Sequence, residues 1–258
     1  MKFLKLEKEV FGLDISDLSL KIIKLKKKRE DFSISSFSSI KINPGIVEKG
    51  VIQNEEVLAK IIRATCKNIK GEKLWTKYVI AALPEEKSFL QVIKMPVMKE
   101  EELKSAIIFE AENYIPLPIN DVYLDFHTIS HLKNNTGHLD VLLVATPKKI
   151  VNSYVACIKK AGLTPLVLEI ESQAIARALI KKGINTAPTA LIDIGKNSIV
   201  FVIYAGLSLQ FTCSIPISGE IFTDAISTSL SLSHQKAETL KLKHNFVDGK
   251  DFLSQKAS

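Results

Sequence analysis

Apolar and polar positions change period several times along the chain, and each change predicts an element. Val10-Phe-Gly-Leu-Asp-Ile, Leu20-Lys-Ile-Ile-Lys-Leu and residues 32–42 are rich in β-branched and aromatic residues and joined by short polar turns, so they predict a three-stranded meander. Asn43-Pro44-Gly45 breaks it. Asn54 then stands as a helix N-cap, with Glu55 and Glu56 in the first turn, where the helix dipole favours acids. Val57, Leu58, Ile61, Ile62 and Ile69 form the apolar stripe of that helix.

A second block opens on the apolar run Tyr78-Val-Ile-Ala-Ala-Leu, and residues 88–94 predict another strand, stopped by Met95-Pro96. Glu100, Glu101 and Glu102 begin a helix that carries Leu103, Ile107, Ala111 and Tyr114 on one face and is ended by Pro116 and Pro118. Val122, Leu124 and Phe126 alternate with Tyr123, Asp125 and His127, as in a half-buried strand. Asn134 to Gly137 predicts a hairpin turn into the strand 139–145. Pro147 opens a helix to Ala161, residues 165–170 form a strand, and a helix runs over 172–182. The opening pattern then recurs in Thr189-Ala-Leu-Ile-Asp-Ile-Gly, Ile199-Val-Phe-Val-Ile-Tyr and residues 209–215, followed by helices over 220–230 and 234–243. Strand meanders followed by helices, used twice around an α+β insert, predict a duplicated α/β fold.

Composition narrows the function classes. With 46% hydrophobic and 24% charged residues the 258-residue chain is globular. The +7 net charge owes much to Lys21, Lys24, Lys26, Lys27, Lys28 and Arg29. No zinc-finger spacing, RNA-binding aromatic motif or basic recognition helix accompanies that run, so nucleic acid is not the expected partner; weak attraction to anionic lipid is. Cys66, Cys157 and Cys213 lie in separate apolar segments without CxxC or histidine spacing and read as small buried thiols. The first residues lack a signal-peptide core, and no window reaches the length of a membrane span. The expected setting is cytoplasmic.

The candidate chemistry sits in two turns. Gly12-Leu-Asp14-Ile-Ser16-Asp17-Leu-Ser19-Leu-Lys21 and Leu191-Ile-Asp193-Ile-Gly195-Lys196-Asn197-Ser198 each place an Asp at a strand end before small residues. Tight turns of this kind point backbone N–H groups at phosphate oxygens, a strand-end Asp can hold hydrated Mg²⁺ through water, and Lys21 supplies a point charge. Asp and Ser are also ordinary hairpin residues; the recurrence in two matching halves favours the phosphate reading.

Asp14-x-Ser-x-x-Ser-x-Lys21 and Asp193-x-Gly195 resemble the two phosphate motifs of the actin-like superfamily. Further blocks resemble the PilM family, cytoplasmic actin-like proteins of type IV pilus assembly: Met95-Pro-Val-Met-Lys-Glu-Glu-Glu-Leu-Lys, Glu110-Ala-Glu-Asn-Tyr-Ile-Pro-Leu-Pro, Asp140-Val-Leu-Leu-Val-Ala and Ala161-Gly-Leu-Thr-Pro-Leu-Val-Leu-Glu-Ile-Glu-Ser. The division protein FtsA is a more distant relative. The resemblance implies an actin-like, ribonuclease H-like duplicated fold, with subdomain 1A over 1–83 and 164–187, a subdomain 1C insert over 84–163, and an incomplete second domain over 188–258. It implies ATP with Mg²⁺. Ser16, Asp17, Ser19 and Lys21 would lie beside the phosphates, Asp14 and Asp193 on the metal's water shell, and Gly195 would allow close phosphate approach. Glu171 would orient water, Gly219 would match one glycine of a Gly-Gly turn, and Glu238 with Lys241 would lie near the ribose.

Ser218 stands in place of the other glycine. Two departures predict weakened nucleotide binding: Lys196 and Asn197, placed among the nucleotide-contacting residues with Lys196 able to contact a phosphate, fill the second turn with long side chains, and no adenosine-closing loop precedes Ser258. At most a weak ATPase is expected. The partner implied is the cytoplasmic tail of a PilN-like inner-membrane protein, held in a groove at the insert, with Tyr114, Ile115, Leu117 and Tyr123 as candidates. Other pilus platform components and a second copy of the chain are further expected partners, with the membrane approached only peripherally. A type II secretion platform, an FtsA-like division protein and a small-molecule kinase are the alternatives.

Overall fold

The computed structural model describes residues 8–29, 31–129, 137–180, 183, 185–195, 198–217 and 219–243. The opening meander forms as its pattern predicts: β1 (Phe11–Ser16), β2 (Ser19–Lys28) and β3 (Asp31–Lys41). Two short hairpin strands follow, β4 (Val47–Glu48) and β5 (Val51–Ile52), then α1 (Glu55–Lys67). Asn54 caps α1 by accepting from the Val57 N–H at 3.0 Å. The buried face of α1 is Leu58, Ala59, Ile62 and Thr65, whereas Val57 is exposed and Ile69 falls beyond the helix end.

After β6 (Lys70–Gly71), the strands β7 (Tyr78–Leu83) and, much later, β11 (Thr164–Ile170) join the first sheet, whose order is β11-β7-β1-β2-β3-β6. β1, β7 and β11 are parallel, and β2 runs antiparallel to β1. Leu13, Ile15, Leu20, Ile22, Val79 and Ala81 point to one face, which α1 and α3 (Lys148–Lys160) cover with Leu58, Ile62, Tyr154, Cys157 and Ile158. Alternation places Gly12, Asp14, Lys21, Ile23 and Phe37 on the opposite face. α4 (Glu171–Leu179) brings Ala174 to that side, beside Gly12, Ile80 and Ala82.

Between β7 and α3 lies the insert. Its antiparallel sheet, β8 (Phe89–Pro96), β10 (His138–Pro147) and β9 (Val122–Ile129), runs in the order β8-β10-β9. α2 (Glu100–Ala111) packs Leu103, Ile107 and Ala111 on Ile93, Met95, Val141 and Leu143. Tyr114 lies outside the helix and is exposed, which corrects its expected place on the core-facing stripe. Residues 134–136 of the predicted hairpin turn lie outside the described residues. α3 lies within the 84–163 span expected for the insert, yet its apolar face belongs to the core of the first sheet.

The second meander is β12 (Asn185–Ile194), β13 (Ile199–Gly206) and β14 (Ser208–Ile215), followed by α5 (Gly219–Leu230) and α6 (His234–Lys243). The chain divides into two compact units: Met1–Ile192 with Val200–Ser214, and Asp193–Ile199 with Ile215–Ser258. Most of β13 and β14 therefore belongs to the first unit, not to a domain beginning at 188. The reason is packing: Val200, Val202, Tyr204 and Leu209 share a core with Ile129 and Leu142 of the insert and Ala176 of α4.

Candidate functional site

The first turn joins β1 to β2 with only Asp17 and Leu18 between the strands. Alternation puts Asp14 and Ser16 on the face that also carries Ser19 and Lys21. Lys21 Nζ lies 3.1 Å from the Asp14 carboxylate, and the Ser16 and Ser19 hydroxyls are 2.7 Å apart. These four residues thus come together, presenting one carboxylate, two hydroxyls and an ammonium. Asp14 and Lys21, with Ser38, Ser39 and Glu169, supply the polar lining of a cleft of about 490 Å³ whose apolar wall includes Ile23, Ile34, Phe37, Ile80 and Ala174.

Asp17 departs from its expected role. Its two carboxylate oxygens accept from the backbone N–H groups of Lys49 (2.7 Å) and Gly50 (2.9 Å) in the β4–β5 turn. Both turn residues have positive φ, 47° and 72°. A Cβ on Gly50 would meet Pro84 at 2.5 Å, so the left-handed, crowded position requires glycine. The carboxylate clamps this turn, and the buried Tyr154 hydroxyl donates to Gly50 O at 3.2 Å from the other side. Burial pushes the Tyr154 phenol well up, and the neighbouring Glu171 and Asp17 carboxylates push it further.

Glu171 opens α4, and the carboxylate that receives a helix N–H there is Glu85: it is buried and accepts from Ser172 N at 3.1 Å. Sequence reasoning assigned Glu85 no role. The signal available was an acid directly after the strand-ending Pro84, two residues past the end of a parallel strand. Ser172 Oγ is buried without a hydrogen-bond partner among the described residues.

In the second unit, Gly195 N donates to Ser198 O at 2.9 Å, and a Cβ on Gly195 would meet that oxygen at 2.7 Å. The glycine lets its own turn close, a requirement distinct from the phosphate approach expected of it. Asp193 is exposed at the end of β12. Lys196 and Asn197, like Ser218, lie outside the described residues. Gly219 N donates to Gly195 O, which ties α5 to this turn.

Glu238 and Lys241 do pair, at 2.6 Å, but not as a simple surface ion pair. Lys241 Nζ also donates to Gly219 O (2.9 Å) and to Thr223 Oγ1 (2.7 Å), while the buried Thr223 hydroxyl donates to Glu238. Four residues form a polar knot between α5 and α6. Thr223 was missed because a threonine inside a helical stretch carries no signature without its tertiary neighbours.

The proposed groove residues separate. Ile115 is buried in the core of the insert, which removes it as a groove residue. Tyr114 and Tyr123 are about half exposed and Leu117 about a third. Tyr123 donates to Asn152 Oδ1 at 3.1 Å, and Lys148 Nζ stands 5.7 Å from its ring, so it joins β9 to α3. On α2, Phe109 is 74% exposed, a residue the apolar periodicity left unassigned.

No cluster of three or more His, Cys, Asp or Glu suited to a metal occurs among the described residues. A single carboxylate on the same strand face as two hydroxyls suits Mg²⁺ held through water and a phosphate, which needs no protein cage. Cys157 is buried and its thiol is pushed up to about 12 by burial; Cys66 is half-buried and pushed up to about 11. In both, burial disfavours the thiolate that a nucleophile needs. No helix among the described residues is long and apolar enough to cross a membrane.

The family model for type IV pilus assembly protein PilM matches residues 12–253. The chain belongs to the PilM family. This PilM-family chain is also similar to the solved PilM–PilN type IV pilus biogenesis complex, with a TM-score of 0.74 and 27% identity over 90% of this chain and 69% of that one. The ethanolamine utilization protein EutJ from Carboxydothermus hydrogenoformans shares the fold, with a TM-score of 0.53 and 16% identity over 90% of this chain and 60% of that one. The fold is actin-like. Cell division protein FtsA of Bacillus subtilis is 31% identical over 108 residues, 41% of this chain and 24% of FtsA. The Enterococcus hirae FtsA gives 31% over 103 residues, 40% of this chain and 23% of FtsA. The chain thus spans about a quarter of the length of the curated relatives it matches.

Proposed function

We propose that this protein is a scaffold of the type IV pilus assembly platform that captures the cytoplasmic tail of a PilN-like membrane protein at the insert. The observation that carries this reading is the similarity to the PilM–PilN complex across 90% of the chain. Exposed Tyr114 and Leu117, just after α2, supply apolar anchors for an extended peptide, a mode in which backbone pairing gives affinity and side-chain pockets give specificity. Tyr123, already held by Asn152 and near Lys148, shapes the wall.

Nucleotide tunes this scaffold in our reading. Asp14, Ser16, Ser19 and Lys21 face the phosphates, with Mg²⁺ bridged by water from Asp14. Glu238 and Lys241 serve the ribose, Asp193 and Gly195 the second phosphate turn, with Lys196, Asn197 and Gly219 beside it, and Glu171 orients water. Bound Mg²⁺ would neutralise phosphate charge. The protein stays peripheral to the inner membrane through its partner. The FtsA matches cover too little of those proteins to favour a division role.

The test is titration of a labelled PilN-like tail peptide into the 258-residue protein by fluorescence polarisation. Tyr114→Ala with Leu117→Ala should weaken binding about tenfold or more, the range of apolar anchor residues. An intact protein that shows no binding would sink the reading.

A further inference from the structure

The end of the first sheet opposite the Asp14–Lys21 turn has no role in the reading above. Here β1 and β7 begin, β2 ends and β3 begins. Beyond Ile23, β2 has lost its pairing with β1, so residues 25–28 and 31–34 overhang as a two-stranded ribbon. Leu25, Phe32 and Ile34 on this ribbon are 50%, 67% and 61% exposed. The adjoining loop after β6 carries Trp75, 80% exposed and the only tryptophan of the chain.

The two segments are tied together. Glu72 accepts from Lys26 (3.1 Å) and Ser35 (2.9 Å), and Glu9 pairs with Lys24 (2.8 Å) while its carbonyl accepts from Thr76 (2.6 Å). The described residues among 8–9, 24–37 and 70–78 include nine basic and three acidic side chains, so positive charge gathers at this end. Two of the acids, Glu9 and Glu72, already face lysines. Lys73 lies 4.6 Å from the Trp75 ring and Lys8 4.7 Å from the Tyr78 ring.

We propose that this end of the sheet is a docking surface for an anionic lipid bilayer. A ribbon that exposes aliphatic and aromatic side chains among lysines matches the boundary between headgroups and acyl chains. There the apolar tips enter and the ammonium groups remain with lipid phosphates. Tryptophan prefers the same layer. A nucleic-acid groove would use the lysines but offers nothing to Leu25 and Ile34, and the charge complementarity is with a surface, not with a small anion. The contact is independent of tail capture at the insert, so each can fail alone.

Trp75 reports the test directly. The 258-residue protein is mixed with phosphatidylcholine vesicles with and without phosphatidylglycerol, and Trp75 emission and co-sedimentation are read at low and high ionic strength. Anionic vesicles should carry the protein down and move its emission to shorter wavelength, high salt should reverse both, and neutral vesicles should do neither. Lys26→Glu, Lys27→Glu and Lys28→Glu together should lower binding at least tenfold with an unchanged circular dichroism spectrum. Phe32→Ser with Ile34→Ser should lower it without changing net charge. Excess glycerol phosphate should leave binding intact. Absence of binding to anionic vesicles at low salt, displacement by glycerol phosphate, or an equal emission shift with double-stranded DNA would each overturn the proposal.

Discussion

Replacing Asp17 by alanine separates a structural clamp from a phosphate ligand. In the folded protein its carboxylate accepts two backbone N–H groups, at 2.7 and 2.9 Å. A buried hydrogen bond to a charged group contributes roughly 1.5–3 kcal/mol, and an exposed one less. The Gly50 bond is partly buried and the Lys49 bond exposed, so the loss should total about 2–3 kcal/mol. Lys49, held at a φ of 47° without glycine's freedom, adds to the tendency of the turn to open. For a unit of this size each kcal/mol lowers the melting temperature by about 2–4 °C, which gives a fall of about 4–12 °C. The assay is thermal unfolding by circular dichroism without nucleotide, beside Asp17→Asn, whose single acceptor oxygen should recover about half. Tyr154→Phe, removing the bond on the other side of Gly50, should cost about 1 kcal/mol and combine non-additively with Asp17→Ala, because both hold one residue. Unchanged nucleotide-free stability of Asp17→Ala, with a defect appearing only when ATP is added, would refute the clamp and restore the phosphate role.

Two further outcomes follow from the polar contacts. Thr223→Val keeps the shape but deletes the hydroxyl that accepts from Lys241 and donates to Glu238; it should destabilise the second unit by about 1–2 kcal/mol, read as faster amide exchange in α5 and α6 with the first unit unaffected. The hydrogen bond from Lys26 and then that from Ser35 hold the Glu72 carboxyl below the usual carboxylate value of 4.5. A folded pKa below the unfolded one stabilises above the unfolded value and loses that contribution as pH falls through the folded value. Glu72→Gln should therefore melt slightly lower than the parent at pH 7, with the gap closing as pH falls below the ordinary carboxylate value; a gap independent of pH would contradict it.

The meanders, α1 and the insert were legible because each has a local signal: alternation, the Asn54 cap, the Gly and Pro breaks. The gathering of Asp14, Ser16, Ser19 and Lys21 about one tight turn was legible from small polar residues set between two apolar runs, whereas the ion pair between Asp14 and Lys21 was not expected. Asp17 was misread for the opposite reason. Its partners lie more than thirty residues away at Lys49 and Gly50, and no local pattern encodes which carboxylate a distant turn will need. Ile115 was misassigned because the family resemblance grouped it with Tyr114 and Leu117 as a groove residue, whereas the turn after α2, closed by Ile115 N–H donating to Ala111 O, places it in the core of the insert. The division after Ile192 was invisible because β13 takes its neighbours from the insert and α4, an outcome of tertiary packing alone.

The parallel pairing of β7 with β11 has a consequence for the order of assembly. Leu83 and Ile170 stand side by side in the sheet although the whole insert and α3 separate them in the chain. The insert's own strands pair antiparallel only with one another, β10 with both β8 and β9, so its sheet can close once residue 147 has left the ribosome. The first sheet must wait for β11, some two dozen residues later, to close its long loop, whose entropic cost grows only slowly with length. During that interval one side of β7 is an open strand edge, the state most exposed to mispairing. A prefolded insert brings the two ends of that loop near each other, and so shortens the search that β11 must complete.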